Sequence, residues 1–175
     1  MTPIISALLL IGSIISLESC DLFEKDQKPK TELEKLPPET QEGKNTFGCL
    51  VDGKAWVTKT SIDAQAFYQE GVFAMGAFLK GNNLDQGMSF YIYDLNLSIK
   101  EYSLTDNTDQ YANFGDNILK CGFKTTSAYS GTLIITNIDN VKFIISGIFE
   151  FEAYSPECDK IVKITNGRFD LNFAP

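Results

Sequence analysis

From Thr46 onward the chain runs in short stretches of β-branched and aromatic residues, alternating with polar positions and broken by Gly, Asn and Asp. That pattern predicts strands, because successive side chains of a strand point to opposite faces with a period of two. Val141 to Tyr154 carries it most clearly. Phe143, Ile145, Gly147, Phe149 and Phe151 fall on one face, and Ser146, Glu150 and Glu152 on the other. The first set is expected in the core, and Ile144 and Ile148 on the second face imply that part of it is covered too. Further strands are predicted at Val72–Leu79, Met88–Tyr93, Leu119–Thr125 and Gly131–Thr136, with a shorter one at Tyr102–Leu104.

Two dipeptides predict hairpins, since Asp-Gly and Asn-Gly tolerate the positive φ of a type I′ turn. Asp52-Gly53 joins Thr46–Val51 to Lys54–Thr58 and sets Cys49 opposite Trp56. Asn166-Gly167 joins Ile161–Thr165 to Arg168–Phe173, which sets Ile164 opposite Phe169 and Val162 opposite Leu171. In that register Lys163 and Asp170 form an opposite-charge cross-strand pair on the outer face. No run keeps a helical period for three turns, although Ser61–Gln69 and Asp94–Lys100 have room for one or two. The expected fold is all-β, an antiparallel β-sandwich or partly open barrel of about nine or ten strands.

The N-terminal part is of a different kind. Ile4 to Leu17 (IISALLLIGSIISL) is almost wholly apolar, which is short for a membrane span but suits the hydrophobic stretch of an export signal. It runs into Leu17-Glu18-Ser19-Cys20, which resembles the lipobox of bacterial lipoproteins, with Cys20 as the residue cleaved before and lipidated. Glu18 is an unusual middle residue, and Met1-Thr2-Pro3 lacks the usual basic charge. Asp21 to Lys44 (DLFEKDQKPKTELEKLPPETQEGK) is dense in charge and proline, with little apolar surface to offset chain entropy, although a short helical stretch fits around Thr31 to Lys35. Three segments are therefore expected: a lipoprotein signal peptide over 1–19, a flexible, disordered tether over 20–45, and an all-β domain over 46–175.

Composition narrows the chemistry. The net charge is −8 with a pI near 4.5, which repels phosphate backbones, so nucleic acid is not an expected partner. The chain has no histidine. Histidine triads, His-ligated zinc and the common haem arrangements are thereby excluded, and neither cofactor nor metal is expected. With Cys20 lipidated, Cys49, Cys121 and Cys158 remain, and three pairings are open. Cys121–Cys158 is favoured, because Cys158 stands in a polar turn (Ser155 to Asp159) whereas Cys49 is flanked by core residues.

Other constellations have ordinary explanations. Asp106, Asn107, Asp109, Asn113, Asp116 and Asn117 crowd one segment that could offer oxygen ligands to calcium, but their spacing matches no EF-hand and a solvated loop explains them. Glu150 and Glu152 have the chemistry of a glycosidase pair and the pattern of plain solvent residues. Tyr68, Tyr91, Tyr93, Tyr102, Tyr111 and Tyr129 could stack on sugars, or serve the core and sheet faces.

Four blocks carry a family resemblance: KLPPETQEGKNTFGCLVDGKAW (Lys35 to Trp56), GTLIIT (Gly131 to Thr136), ISGIFEF (Ile145 to Phe151) and ITNGRFD (Ile164 to Asp170). In these the chain resembles a family of small Bacteroidetes lipoproteins classed as a domain of unknown function. The resemblance implies a β-rich fold and an outer-membrane location, surface-exposed or periplasm-facing, and no particular activity. Asp21, Glu24 and Asp26, just after Cys20, are compatible with the acidic signal for surface export in such organisms. The expectation is a non-enzymatic binding or structural β-domain, held to the membrane through its lipid, with a glycan or an envelope protein as partner. The alternative is a glycan-binding module or a carrier of a small hydrophobic ligand.

Overall fold

The computed structural model of the chain describes residues 30–106 and 109–175. The expected signal peptide, Cys20 and the first part of the expected tether lie outside the described residues. A 3-10 turn at Leu33–Lys35 is followed by β1 (Thr46–Val51), β2 (Lys54–Val57), β3 (Ala64–Gln69), β4 (Val72–Gly81) and β5 (Leu84–Tyr93). Then come β6 (Glu101–Leu104), β7 (Gln110–Asp116), β8 (Cys121–Lys124), β9 (Gly131–Asp139), β10 (Ile144–Ser155) and β11 (Lys160–Ala174).

The strands form one sheet in the order β2-β1-β11-β3-β4-β5-β7-β8-β10-β9-β6, and β10 also pairs with β11, which closes the middle of the sheet on itself. The all-β expectation therefore holds, with eleven strands among the described residues in one closed sheet. One wall is β2-β1-β11-β10-β9-β6 and the other is β3-β4-β5-β7-β8. Closure is thin at both seams. β8 meets β10 at Tyr154↔Lys124, and β3 meets β11 in parallel at Phe173↔Ala66 and Ala174↔Phe67.

The walls are held by apolar side chains at alternate positions. Phe47 lies 5.1 Å from Phe149 and 6.4 Å from Phe90, ring centre to ring centre, and Phe90 lies 4.8 Å from Phe149 and 5.7 Å from Phe151. Burial of Ile145, Phe149 and Phe151 follows the expected core face, whereas Phe143 stands outside the strand, 42% exposed with φ +55°.

The Asp52-Gly53 turn forms as expected, with φ values of +48° and +78° and Cys49 opposite Trp56. Asn166-Gly167 does not make a hairpin. A type I′ turn needs positive φ at both central residues, and here only Asn166, at +53°, adopts it. Against β10 the register steps from Phe149↔Gly167 to Phe151↔Ile164, and against β1 from Gly48↔Arg168 to Leu50↔Thr165. The extra residue is thus a bulge inside one fifteen-residue strand. The actual reversal lies between β10 and β11, where Ser155 pairs with Lys160. The Lys163–Asp170 pair is accordingly corrected: both residues sit on the same strand, Lys163 reaches Glu152 at 3.1 Å, and Asp170 is buried.

Three other segments differ from expectation. Ser61–Gln69 holds strand β3 where a helical turn had room, because Ala64 and Ala66 point into the core on alternate positions. The Asn- and Asp-rich segment holds β7, with Ala112 and Phe114 inside. The second half of the expected tether is not free either: residues 31–45 lie as a strap along the outer side of β1, β11 and β10. Leu36 in the strap is buried, and Glu32 Oε2 accepts the Ala55 amide of β2 at 2.8 Å.

Candidate functional site

The outward side of the β3-β4-β5-β7-β8 wall is built from three parallel rungs of side chains. Phe67, Ala74, Tyr91 and Tyr111 form the first through the pairs Phe67↔Ala74, Ala74↔Tyr91 and Tyr91↔Tyr111. Gln65, Gly76, Ser89, Asn113 and Lys124 form the second. Phe78, Gly87, Gly115 and Gly122 form the third. Because glycine and alanine leave the main chain bare, these rungs bound an open trough of about 960 Å³. Phe67 and Phe78 are 44% and 49% exposed along it.

The glycines are not required by the fold. Gly76, Gly87, Gly115 and Gly122 have ordinary backbone conformations. A Cβ would meet nothing within 4 Å at Gly115 and Gly122, and only ordinary contacts of 3.6 and 3.7 Å at Gly76 and Gly87. Glycine inside a strand weakens it and often marks close approach by a ligand or by another backbone.

Polar groups cross the trough on the second rung. Asn113 Nδ2 donates to Ser89 Oγ at 3.3 Å, and Gln65 is exposed at the β3 end. Lys124 stands at the far end with its ammonium 4.5 Å from the Tyr111 ring centre, and Tyr111 stacks on Tyr91 at 5.2 Å. Lys124 is the one charged side chain among the lining residues.

The opposite wall carries the other notable group. Asp170 Oδ2 accepts from Thr40 Oγ1 at 2.6 Å and from the Glu42 and Lys44 amides at 3.0 and 3.2 Å. Its Oδ1 accepts from the Gly43 amide and Ser146 Oγ, both at 2.8 Å. Burial pushes this carboxyl up, but the hydrogen bonds outweigh it and hold the group below the usual carboxylate range. Asp170 thus pins the strap to the sheet. Arg168, two positions before it on β11, donates to the Pro37 carbonyl and faces Glu39 at 3.8 Å.

Other residues singled out in the sequence are dispersed. Cys121 and Cys158 are joined in a disulfide, Cα to Cα 5.8 Å, while Cys49 is free and buried, and burial pushes its thiol up. Glu152 is tied to Lys163, with Glu150 one rung away and exposed. Asp116 closes its own turn by accepting the Ile118 and Leu119 amides, and no group of three potential metal ligands occurs among the described residues. The tyrosines do not share one platform. Tyr91 and Tyr111 flank the trough, Tyr102 is buried with its hydroxyl on Ser98 and Asp94, and Tyr129 stacks on Tyr154 across β10. Sequence reasoning passed over Phe67, Phe78 and the four glycines; the signal was glycine recurring at outward positions of neighbouring strands.

Residues 44–170 match a family model described as a domain of unknown function, DUF6252. No curated protein and no solved structure matches the chain.

Proposed function

The chain belongs to the DUF6252 family, a domain of unknown function, and from that premise we propose that it is a lipid-anchored protein of the bacterial cell envelope whose β-domain is a non-catalytic binding module. The trough on the β3-to-β8 wall is its binding surface. The observation that carries this reading is the floor of four glycines that the fold does not need, lying beside exposed Phe67 and Phe78. A ligand that approaches the bare main chain gives those glycines a purpose.

Anchoring rests on the sequence: an apolar leader ending at Leu17-Glu18-Ser19-Cys20, and the likeness to small Bacteroidetes outer-membrane lipoproteins. The Cys121–Cys158 disulfide supports an oxidising compartment. The non-catalytic reading is supported by a chain without histidine and a trough without a carboxylate. A carrier holding its ligand inside the closed sheet is the less favoured alternative, because the Phe47, Phe90, Phe149 and Phe151 rings fill the space between the walls.

Two measurements test the proposal. Labelling with an alkyne fatty acid should mark the wild type and not Cys20→Ala, and protease shaving of intact cells reports which side the domain faces. Amide-resolved NMR of the full chain in detergent micelles, titrated with peptides, fatty acids and oligosaccharides, should shift Gly87, Gly115 and Gly122 with at least one class. Unlabelled wild type sinks the anchor, and an inert trough sinks the binding role.

A further inference from the structure

We propose that the trough takes an extended, acid-bearing glycan lying across β4, β5, β7 and β8, an inference that rests on the binding reading above and names its ligand. The molecule contains its own comparison for close approach. On the opposite wall the strap runs over Gly48, where a Cβ would stand 2.6 Å from Pro37 Cδ. Glycine there makes room for a chain segment that is present. Gly76, Gly87, Gly115 and Gly122 clear the same kind of room on a wall that no strap crosses among the described residues, and Gly87, Gly115 and Gly122 clear it along a line that crosses the strands, with Gly76 one rung away. The occupant is therefore long and thin enough to reach the main chain.

The walls choose its chemistry. The rings of Phe67 and Phe78 offer flat apolar surfaces, which suit the C–H faces of pyranose rings. Between them, Gln65, Ser89 and Asn113 present amide and hydroxyl groups on one rung, which suit sugar hydroxyls that both donate and accept. A purely apolar chain would leave the Gln65 amide and the remaining donors and acceptors of the Ser89–Asn113 pair without a partner from the ligand.

Charge selects further. The protein carries −8, yet the trough holds no carboxylate, and its one formal charge is the Lys124 ammonium held over Tyr111. A carboxylate on the glycan meets a cation there and no like charge.

The test uses the full chain in detergent micelles with three probes: hexagalacturonate, cellohexaose and dodecanoate. Calorimetry is expected to show hexagalacturonate binding that weakens as salt rises, with NMR shifts at Gly87, Gly115 and Gly122. Lys124→Gln and Phe78→Ala are each expected to weaken it at least about tenfold. Gly115→Leu, which fills open space, should abolish binding without lowering the melting temperature, so that loss of binding is not loss of fold. Hexagalacturonate that fails to bind, or binds regardless of these three substitutions, overturns the inference. If cellohexaose binds equally well, or dodecanoate occupies the trough instead, the acid-bearing glycan falls and the binding reading stands. If no probe of any class moves those amides, both fall.

Discussion

The two outward walls of the closed sheet are treated in opposite ways. The β1-β11-β10 wall is covered by the chain's own strap, pinned by four hydrogen bonds to Asp170 and seated on Gly48. The β3-to-β8 wall bears four glycines on its outward face and has no such cover among the described residues. On the first wall a glycine is demanded by what lies on it. On the second, four glycines are demanded by nothing among the described residues. The contrast teaches that a steric test on glycines separates residues the fold needs from residues kept for another reason.

The largest effect expected concerns the tie between the two walls. The Cys121–Cys158 bond links β8 of the trough wall to the β10–β11 turn across 37 residues, a span whose closure is worth about 4 kcal/mol in the chain-entropy model. The Cys121→Ala/Cys158→Ala double variant should lose stability on that scale in urea titration. A loss under about 1 kcal/mol would mean that the unfolded chain is already compact.

Next is the covered wall itself. Asp170→Asn should cost about 2–4 kcal/mol, because several buried donors lose a charged acceptor. The pH dependence has a definite sign. The folded carboxyl titrates below its unfolded value, which is near 3.9. The unfolded state therefore binds more protons in this range, so the stabilisation is full above about pH 4 and is lost as pH falls through the folded value. In wild type, denaturation midpoints should drop in that acid window. In Asp170→Asn this part of the slope should vanish, and an unchanged slope would refute the role given to the carboxylate.

A smaller effect is expected at Gly48→Val, about 1–3 kcal/mol, as the new side chain drives into Pro37. Limited proteolysis should then cut the strap faster than in wild type. The bare wall should respond with the opposite sign. Gly115→Ala and Gly122→Ala should each stabilise the protein by about 0.5–1 kcal/mol in thermal melts, since alanine is better tolerated in a strand and nothing stands in its way. If they destabilise instead, the fold needs those glycines after all and the contrast between the walls collapses.

Local signals in the sequence carried part of this architecture. Asp52-Gly53 specified its turn and the Cys49–Trp56 register, and the period of two in β10 specified its core face. The same kind of dipeptide at Asn166-Gly167 misled, because a residue with positive φ serves a bulge as readily as a turn. What decides is whether a long partner such as β10 is available on the far side. β3 and β7 were obscured because alanine buries against the core without announcing a strand, and because Asn and Asp on the outer face look like loop residues. The strap was hidden for a different reason. Its stability comes from main-chain amides meeting a carboxylate more than 120 positions away, and amides leave no trace in composition. The trough needed the strand register before scattered glycines became a row.

The pinned strap also has a mechanical consequence. Tension entering the chain from its N-terminal side reaches residues 31–45 before it reaches β1, and there it meets the Glu32–Ala55 bond and buried Leu36 first, then the cluster of bonds gathered on Asp170. Once Asp170 and the strap's other contacts let go, fifteen residues pay out, about 50 Å of contour length, without any bond between the eleven strands having to break. The strap would act as a shock absorber in series with the domain, yielding length under a brief pull and reseating when the load is gone.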